Sequence, residues 1–159
     1  MSISEQEIKN PITETIRTAL AGIVGDQAVL TQPADCWSYG YDNSRRHALP
    51  HAVVFATTHD QVREIVQLCQ GQQINLIARG KGTGTTGATV PDRGGIVLAL
   101  ERMNRILEID PANRIARVEP GVTNLELQQA LKPYGFFWPP DPTSAAVCTI
   151  GGNLAYNSA

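Results

Sequence analysis

One run constrains this chain more than any other: Arg79-Gly80-Lys81-Gly82-Thr83-Gly84-Thr85-Thr86-Gly87. Four of its nine residues are glycine. It follows Leu76-Ile77-Ala78, a short apolar run that reads as a strand. Glycine leaves no side chain in the way of a ligand and tolerates the positive φ angles of a tight loop. A backbone that turns this sharply can aim several N–H groups at one point, which makes a nest for an anion. The interleaved threonines add hydroxyl donors, and Arg79 and Lys81 add positive charge. The expected ligand group is the diphosphate of a dinucleotide.

Two familiar phosphate loops fail on context. Gly82-Thr83-Gly84-Thr85-Thr86-Gly87 has the G-x-G-x-x-G spacing of a nicotinamide-binding Rossmann unit, but that motif needs a helix to begin inside the loop. Here Ala88-Thr89-Val90-Pro91-Asp92-Arg93-Gly94-Gly95 follows, and then a strand. Pro91 and two more glycines leave no room for the helix. No clean acidic residue closes the next strand about 20 residues on, Glu101 coming nearest. A Walker A loop is excluded because no Gly-Lys-Ser/Thr ends the run. A ligand-free surface turn would seldom need so many glycines.

A second donor-rich stretch lies near the end. Asp141-Pro142-Thr143-Ser144 offers hydroxyls on a backbone stiffened by proline. Thr149 stands before Gly151-Gly152-Asn153, where a helix opens, and helix starts carry bare N–H groups with partial positive charge. Two such surfaces suit an extended ligand with phosphates in its middle.

The rest of the chain reads as α/β. Ile8, Ile12, Ile16 and Leu20 recur at helical spacing, with Asn10 as cap and Pro11 in the first turn, so a helix is expected over 11–21, closed by Gly22. Residues 30–50 hold Pro33, Trp37, Tyr39 and Tyr41 without a period and read as an ordered loop. Residues 51–56 are continuously apolar, as in a strand buried on both faces. Thr58-His59-Asp60-Gln61 reads as a capping box, opening a helix that ends at Gly71. A strand at 74–78 completes a strand–helix–strand unit, which predicts parallel strands with a right-handed crossover. Residues 95–100 give a third buried strand. Residues 106–110 and 114–118 predict an antiparallel hairpin around Pro111-Ala112-Asn113. Thr123-Asn124-Leu125-Glu126 is a second capping box, opening a helix to Lys132 with Gly135 beyond it. The expected fold is a small, mainly parallel sheet with flanking helices and an added hairpin. Residues 1–49 form an N-terminal helix and loop, and 50–159 the main unit.

Composition removes other classes. A chain of 159 residues with net charge −2 gives no electrostatic case for nucleic acid or an anionic membrane. No apolar run approaches the ~18 residues of a membrane span. The polar, acidic start lacks the regions of a signal peptide. Cys36, Cys69 and Cys148 are odd in number and far apart, and read as reduced thiols of a cytoplasmic protein. His47, His51 and His59 lack partners at metal-ligand spacing and read as loop or surface residues. The stretch from Gly152 to Ala159 shows no helix stop signal, so the chain is expected to be a fragment of a longer one.

Three motifs in order resemble a known family: the strand-then-Arg-Gly-x-Gly-Thr-Gly loop, Pro120-Gly121-Val122, and Pro140-Asp141-Pro142-Thr143-Ser144 with Thr149-Ile150-Gly151-Gly152-Asn153. They resemble the FAD-linked oxidase N-terminal domain, the PCMH-type flavin domain of the vanillyl-alcohol-oxidase family. Within it they are similar to the flavin subunits of bacterial glycolate oxidase and to D-lactate dehydrogenases. The resemblance runs from Pro50 to Ala159 and implies the first lobe of that domain, truncated at its C-terminus. It implies that Arg79, Gly80, Lys81, Gly82, Thr83, Gly84 and Thr85 wrap the diphosphate of FAD. Asp141, Thr143, Ser144, Thr149, Gly151, Gly152 and Asn153 would contact the rest of the dinucleotide. Thr83 stands where members with covalent flavin carry histidine, which implies non-covalent FAD. Lys81 either reaches a phosphate or points to solvent.

The resemblance also implies oxidation of a 2-hydroxy acid by the longer protein, where a base takes a proton and flavin N5 accepts a hydride. The catalytic base, and in some members metal-ligating histidines, belong to a substrate domain outside this sequence. Neither catalytic nor metal-binding residues are therefore assigned here. An iron–sulphur electron-transfer subunit is a further implied partner, and with it a cytoplasmic protein that sits at the inner membrane through its partners. Losing two hydrogen bonds to a charged group, at roughly 1.5–3 kcal/mol each, costs about 10²–10⁴ in affinity. The fragment alone is expected to bind FAD weakly or undetectably and to turn nothing over. A non-catalytic nucleotide-binding or subunit-interaction module, or an oxidase of a sugar or aryl alcohol, are the alternatives.

Overall fold

A computed structural model describes residues 12–158. Four strands, β1 (Val29–Leu30), β2 (Ala52–Phe55), β3 (Leu76–Arg79) and β4 (Ile96–Ala99), form one sheet in the order β1-β2-β4-β3. The last three are parallel, and β1 joins the edge antiparallel. β2 and β4 are buried at every position, as their unbroken apolar sequences require. The predicted β2–helix–β3 unit forms with parallel strands, but β2 and β3 are not neighbours. β4 lies between them, because its four apolar residues need cover on both edges and faces. β3, whose first three residues are only partly covered or exposed, tolerates the edge.

Alternate residues of the central strands feed two layers. Ala52, Val54, Ile96 and Leu98 meet Ile16 and Leu20 of α1 (Glu14–Val24) and Ile65 and Cys69 of α3 (His59–Gly71). Val53, Phe55, Val97 and Ala99 meet Ala28, Cys36 and Tyr39. So residues 12–49 build part of both layers. Leu20 is fully buried, and its truncation to alanine costs roughly 2–5 kcal/mol.

Local signals account for the helix ends. The Thr13 hydroxyl accepts from the Ile16 N–H and caps α1, which runs through Gly22 to Val24 and stops at Gly25, φ +88°. The expected start at Pro11 and stop at Gly22 are therefore displaced. Asn10, the expected cap, lies outside the described residues. Thr58 caps α3 by accepting from the Gln61 N–H, but the Gln61 carbonyl oxygen turns to the N–H and hydroxyl of Thr57. Its amide nitrogen donates to the Ile23 carbonyl. Only half the expected capping box forms, since Gln61 ties α3 to α1 instead. Residues 30–50 contain α2 (Pro33–Cys36) and a 3-10 turn over Trp37–Tyr39.

The remaining elements form a second layer of packing. β5 (Ile106–Asp110) and β6 (Ile115–Val118) pair as the expected hairpin. α4 (Asn124–Leu131) starts with a complete capping box between Thr123 and Glu126. α5 (Ile150–Tyr156) is capped by Thr149. Val122, Leu127, Leu131 and Ile150 bury together beneath the hairpin.

Candidate functional site

β3 ends at Arg79, and the glycine loop then turns across the start of α5. The two meet closely enough that a methyl group on Gly80 would collide with Thr149 Oγ1, and one on Gly84 with the Tyr156 hydroxyl. Gly82 has φ +68°, a conformation other residues seldom adopt. Between loop and helix lies a cleft of about 270 Å³. Gly80, Lys81, Gly82, Thr83, Gly84 and Thr85 line one side; Thr143, Ser144, Thr149, Gly152 and Asn153 line the other. Eleven of the fourteen expected residues thus share one cleft.

Its donors are unevenly distributed. None of the backbone N–H groups from Lys81 to Thr86 donates to another group of the described chain. The hydroxyls of Thr83, Thr85, Thr143 and Ser144 also have no partner there. At α5 the opposite holds. Ile150 N–H donates to the Val122 carbonyl at 2.8 Å and Gly151 N–H to that of Pro120 at 2.9 Å. Gly152 and Asn153 N–H groups go to the Thr149 hydroxyl and carbonyl. The expectation of bare amides at this helix start is therefore wrong: residues 120–122 cross it and take them up. Gly151 faces a neighbouring apolar groove, where Pro120 leaves no space for a side chain. That groove, of about 800 Å³, lies between β6, α4 and Trp138.

Besides Gly151, two expected residues stand outside the cleft, Asp141 and Arg79, and Lys81 lines it with its charge engaged elsewhere. Asp141 is exposed and does not line the cleft. Arg79 is buried on the other side of the loop, donating to the carbonyls of Tyr41 (2.6 Å) and Ser38 (3.2 Å), its guanidinium near the Tyr39 ring. Burial lowers its pKa, opposed by Tyr39, Asp42 and Glu101. Lys81 does not reach into the cleft as a free cation: on an exposed side chain, its ammonium pairs with Glu101 at 2.9 Å. Glu101 also accepts from the Tyr39 hydroxyl at 3.0 Å. Burial first, and then Glu101, push that phenol up to about 12. Among the described residues no carboxylate lines the cleft, so its N–H and O–H dipoles attract an anion without opposition from these residues.

The sequence left Asp42, Asn43 and Tyr156 unplaced. Asp42 accepts from Ser44 N–H (2.8 Å) and Gly87 N–H (2.9 Å). Burial works against its ionisation, but those hydrogen bonds and Arg79 outweigh it, and its carboxyl titrates below the usual range. Asn43 holds the carbonyls of Thr83 and Gly84. The Tyr156 hydroxyl reaches Thr86 Oγ1 at 2.9 Å and borders the cleft. Asp42-Asn43-Ser44 did carry a local signal, since Asp bonding two residues ahead is an Asx turn.

Comparison with known proteins assigns the chain to a family. The model of a family described as FAD binding domain matches residues 50–159. The chain is similar to the glycolate oxidase subunit GlcD of Bacillus subtilis (strain 168), 36% identical over 148 residues, covering 92% of this chain and 32% of that one. It is 34% identical over 140 residues to the D-2-hydroxyglutarate dehydrogenase of Stutzerimonas stutzeri (strain A1501), covering 87% and 30%. The crystal structure of p-cresol methylhydroxylase with substrate bound superposes with TM-score 0.75 at 27% identity, covering 87% and 28%. The chain belongs to the FAD binding domain family, and FAD is the cofactor that family membership assigns to it. It spans about a third of the length of these two curated relatives.

The residues present fit the diphosphate portion of FAD. A run of unused amides, four unpartnered hydroxyls and, among the described residues, a cleft free of carboxylates are what a dianionic diphosphate needs.

Proposed function

We propose that this chain is the nucleotide-holding lobe of an FAD-dependent oxidoreductase that oxidises a 2-hydroxy acid of the glycolate or D-lactate type. The observation that carries the reading is the set of unused N–H groups from Lys81 to Thr86 facing Thr143, Ser144 and Thr149. In this reading Gly80, Gly82, Gly84 and Thr85 give the diphosphate its amide donors, while Thr83, Thr143 and Ser144 add hydroxyls. Gly152 and Asn153 shape the opposite wall, Asn153 being held in place by Asn124 at 3.1 Å. Arg79 and Lys81 support the loop from behind. Bound FAD supplies the hydride acceptor; the chain's own part is to bind, orient and shield it.

The flavin is held without a covalent bond, since Thr83, a hydroxyl residue and a poor partner for flavin attachment, occupies the loop. Residues 50–159 form the first lobe of the flavin domain, and residues 12–49 complete its core. The small substrate, the catalytic base and an iron–sulphur electron-transfer partner are supplied outside this lobe. Three buried free thiols, Cys36, Cys69 and Cys148, favour a reducing, cytoplasmic setting. No helix among the described residues is long and apolar enough to cross a membrane.

The test is a titration of the ¹⁵N-labelled chain with FAD, and separately with ADP, followed by amide shifts. Amides of residues 82–86 should move with both ligands. Shifts confined to the groove between β6 and α4, or none at all, sink the reading. Acid precipitation of the loaded protein should leave the flavin in the supernatant. Assay of the longer protein against a panel of 2-hydroxy acids with a dye acceptor identifies the substrate.

A further inference from the structure

We propose that Asn43 is a positioning residue that aims the glycine-loop amides into the cleft without touching the ligand. The inference rests on the reading that this cleft holds the diphosphate of FAD. Asn43 grips two consecutive carbonyls of the loop: its side-chain Nδ2 donates to Thr83 O at 3.3 Å, and its backbone N–H to Gly84 O at 2.8 Å. A trans peptide is planar, and its C=O and N–H point in opposite directions. The described residues contain no cis peptide. The Thr83 carbonyl shares its peptide with the Gly84 N–H, and the Gly84 carbonyl shares its peptide with the Thr85 N–H. Drawing both carbonyls toward Asn43 therefore turns both N–H groups away from it.

The direction of that turn matters. Asn43 lines a depression on the outer side of the loop, together with Tyr39, Arg79 and Glu101. Thr83, Gly84 and Thr85 line the cleft on the inner side. The two N–H groups aimed inward have no partner in the described chain. The residues just before Asn43 are themselves held in place. Arg79, the last residue of β3, holds the Ser38 and Tyr41 carbonyls. Asp42 holds the Gly87 N–H at the loop's far end. The loop is thus braced from behind at its start, middle and end. Preorganised donors of this kind need no rearrangement on binding, which is where their affinity comes from.

Asn43→Ala removes the grip on Thr83 O and leaves the backbone bond to Gly84 O. Asn43→Asp sets a carboxylate against that carbonyl, and the repulsion rotates the peptide. Three measurements on the chain decide the matter: FAD titration by NMR, amide shifts of Gly84 and Thr85 without FAD, and the thermal midpoint. Asn43→Ala should weaken FAD binding about threefold to tenfold, the worth of one neutral hydrogen bond. Asn43→Asp should weaken it more. Both variants should shift the ligand-free Gly84 and Thr85 amides while melting within about 4 °C of the parent. Unchanged amides, or unchanged affinity with the parent's response intact, overturn the positioning role and leave the site reading standing. If FAD moves none of amides 82–86 in the parent chain, both fall together.

Discussion

Gly80 and Thr149 are 69 residues apart in sequence, and their contact is the hinge of the site. A methyl group built on Gly80 would strike Thr149 Oγ1, while the next nearest Thr149 atoms lie at 3.5 Å, an ordinary contact. Gly80→Ala should therefore act through one oxygen. In the parent background the collision forces Thr149 off its rotamer, at roughly 1–3 kcal/mol for overpacking. It also loosens the cap of α5, whose Gly152 N–H bonds that oxygen at 3.3 Å, adding about 1 kcal/mol. Thr149→Ala alone loses the cap and costs about 1 kcal/mol. With the oxygen gone, the Gly80→Ala methyl keeps only an ordinary contact with Thr149 Cβ at 3.5 Å. Gly80 is not among the positive-φ glycines, so the substitution should then be neutral or stabilise by up to about 1 kcal/mol through the unfolded chain. The same substitution thus changes from a cost of about 2–4 kcal/mol to none, a coupling of about 2 kcal/mol or more. Urea unfolding of the four proteins measures it. A cost for Gly80→Ala that agrees within about 0.5 kcal/mol in both backgrounds would mean the loop and α5 do not meet, and the shared cleft would go with them.

Other consequences are as direct. His51 Nδ1 accepts from the Gly95 N–H at 2.9 Å, and burial holds its pKa below the ordinary value. The unfolded chain, with a histidine pKa of about 6.5, then binds more protons than the folded one. This contribution to stability is complete above about pH 6.5 and is lost as pH falls toward the lower folded value. The urea midpoint should drop between about pH 7.5 and about pH 5.5, and the drop should shrink in His51→Gln; equal slopes refute it. Gly95→Ala combines φ +98° with a methyl 2.7 Å from Asn75 Cβ and 2.9 Å from its carbonyl carbon. It should cost about 2–5 kcal/mol, read as lost soluble yield or a lower urea midpoint. All three cysteines are buried, and burial, then Asp35, pushes the Cys36 thiol up to about 11. Ellman's reagent should find no reactive thiol in the native protein at neutral pH and 3 per chain in denaturant; prompt labelling of the native chain contradicts this packing.

What the sequence disclosed follows the range of the interactions. β2 and β4 were legible because burial on both faces demands unbroken apolar runs, and α4 because Thr123 and Glu126 are three residues apart. The order of strands was not, since no local feature says that β4 inserts between β2 and β3. Residues 30–50 stayed shapeless on inspection because their order is imposed from afar: Tyr41 is held by Arg79 across 38 residues, and Asp42 by Gly87 across 45. His51 reads as a loop histidine until the Gly95 N–H it serves is seen.

The site shows the same division at the level of single amides. Glycine density indicates where the backbone can approach a ligand, and the loop from Lys81 to Thr86 does keep its N–H groups free. The Gly151-Gly152 pair carried the same signature and means something else. Residues 120–122 pass over the start of α5, and their carbonyls take the Ile150 and Gly151 N–H groups, so Gly151 is small to admit Pro120 rather than a phosphate. A helix start can be consumed in folding or kept for a ligand, and only a contact some thirty residues away in sequence decides which. The cleft therefore has one amide-bearing wall, the glycine loop, and one hydroxyl-bearing wall. On that asymmetry, Thr143→Val, which deletes one hydroxyl, should weaken FAD binding about threefold to tenfold. Gly151→Ala should act on stability through Pro120, 2.7 Å away, and leave the affinity of the folded protein for FAD unchanged. A titration in which Gly151→Ala abolishes binding at full stability would put the free amides back on α5.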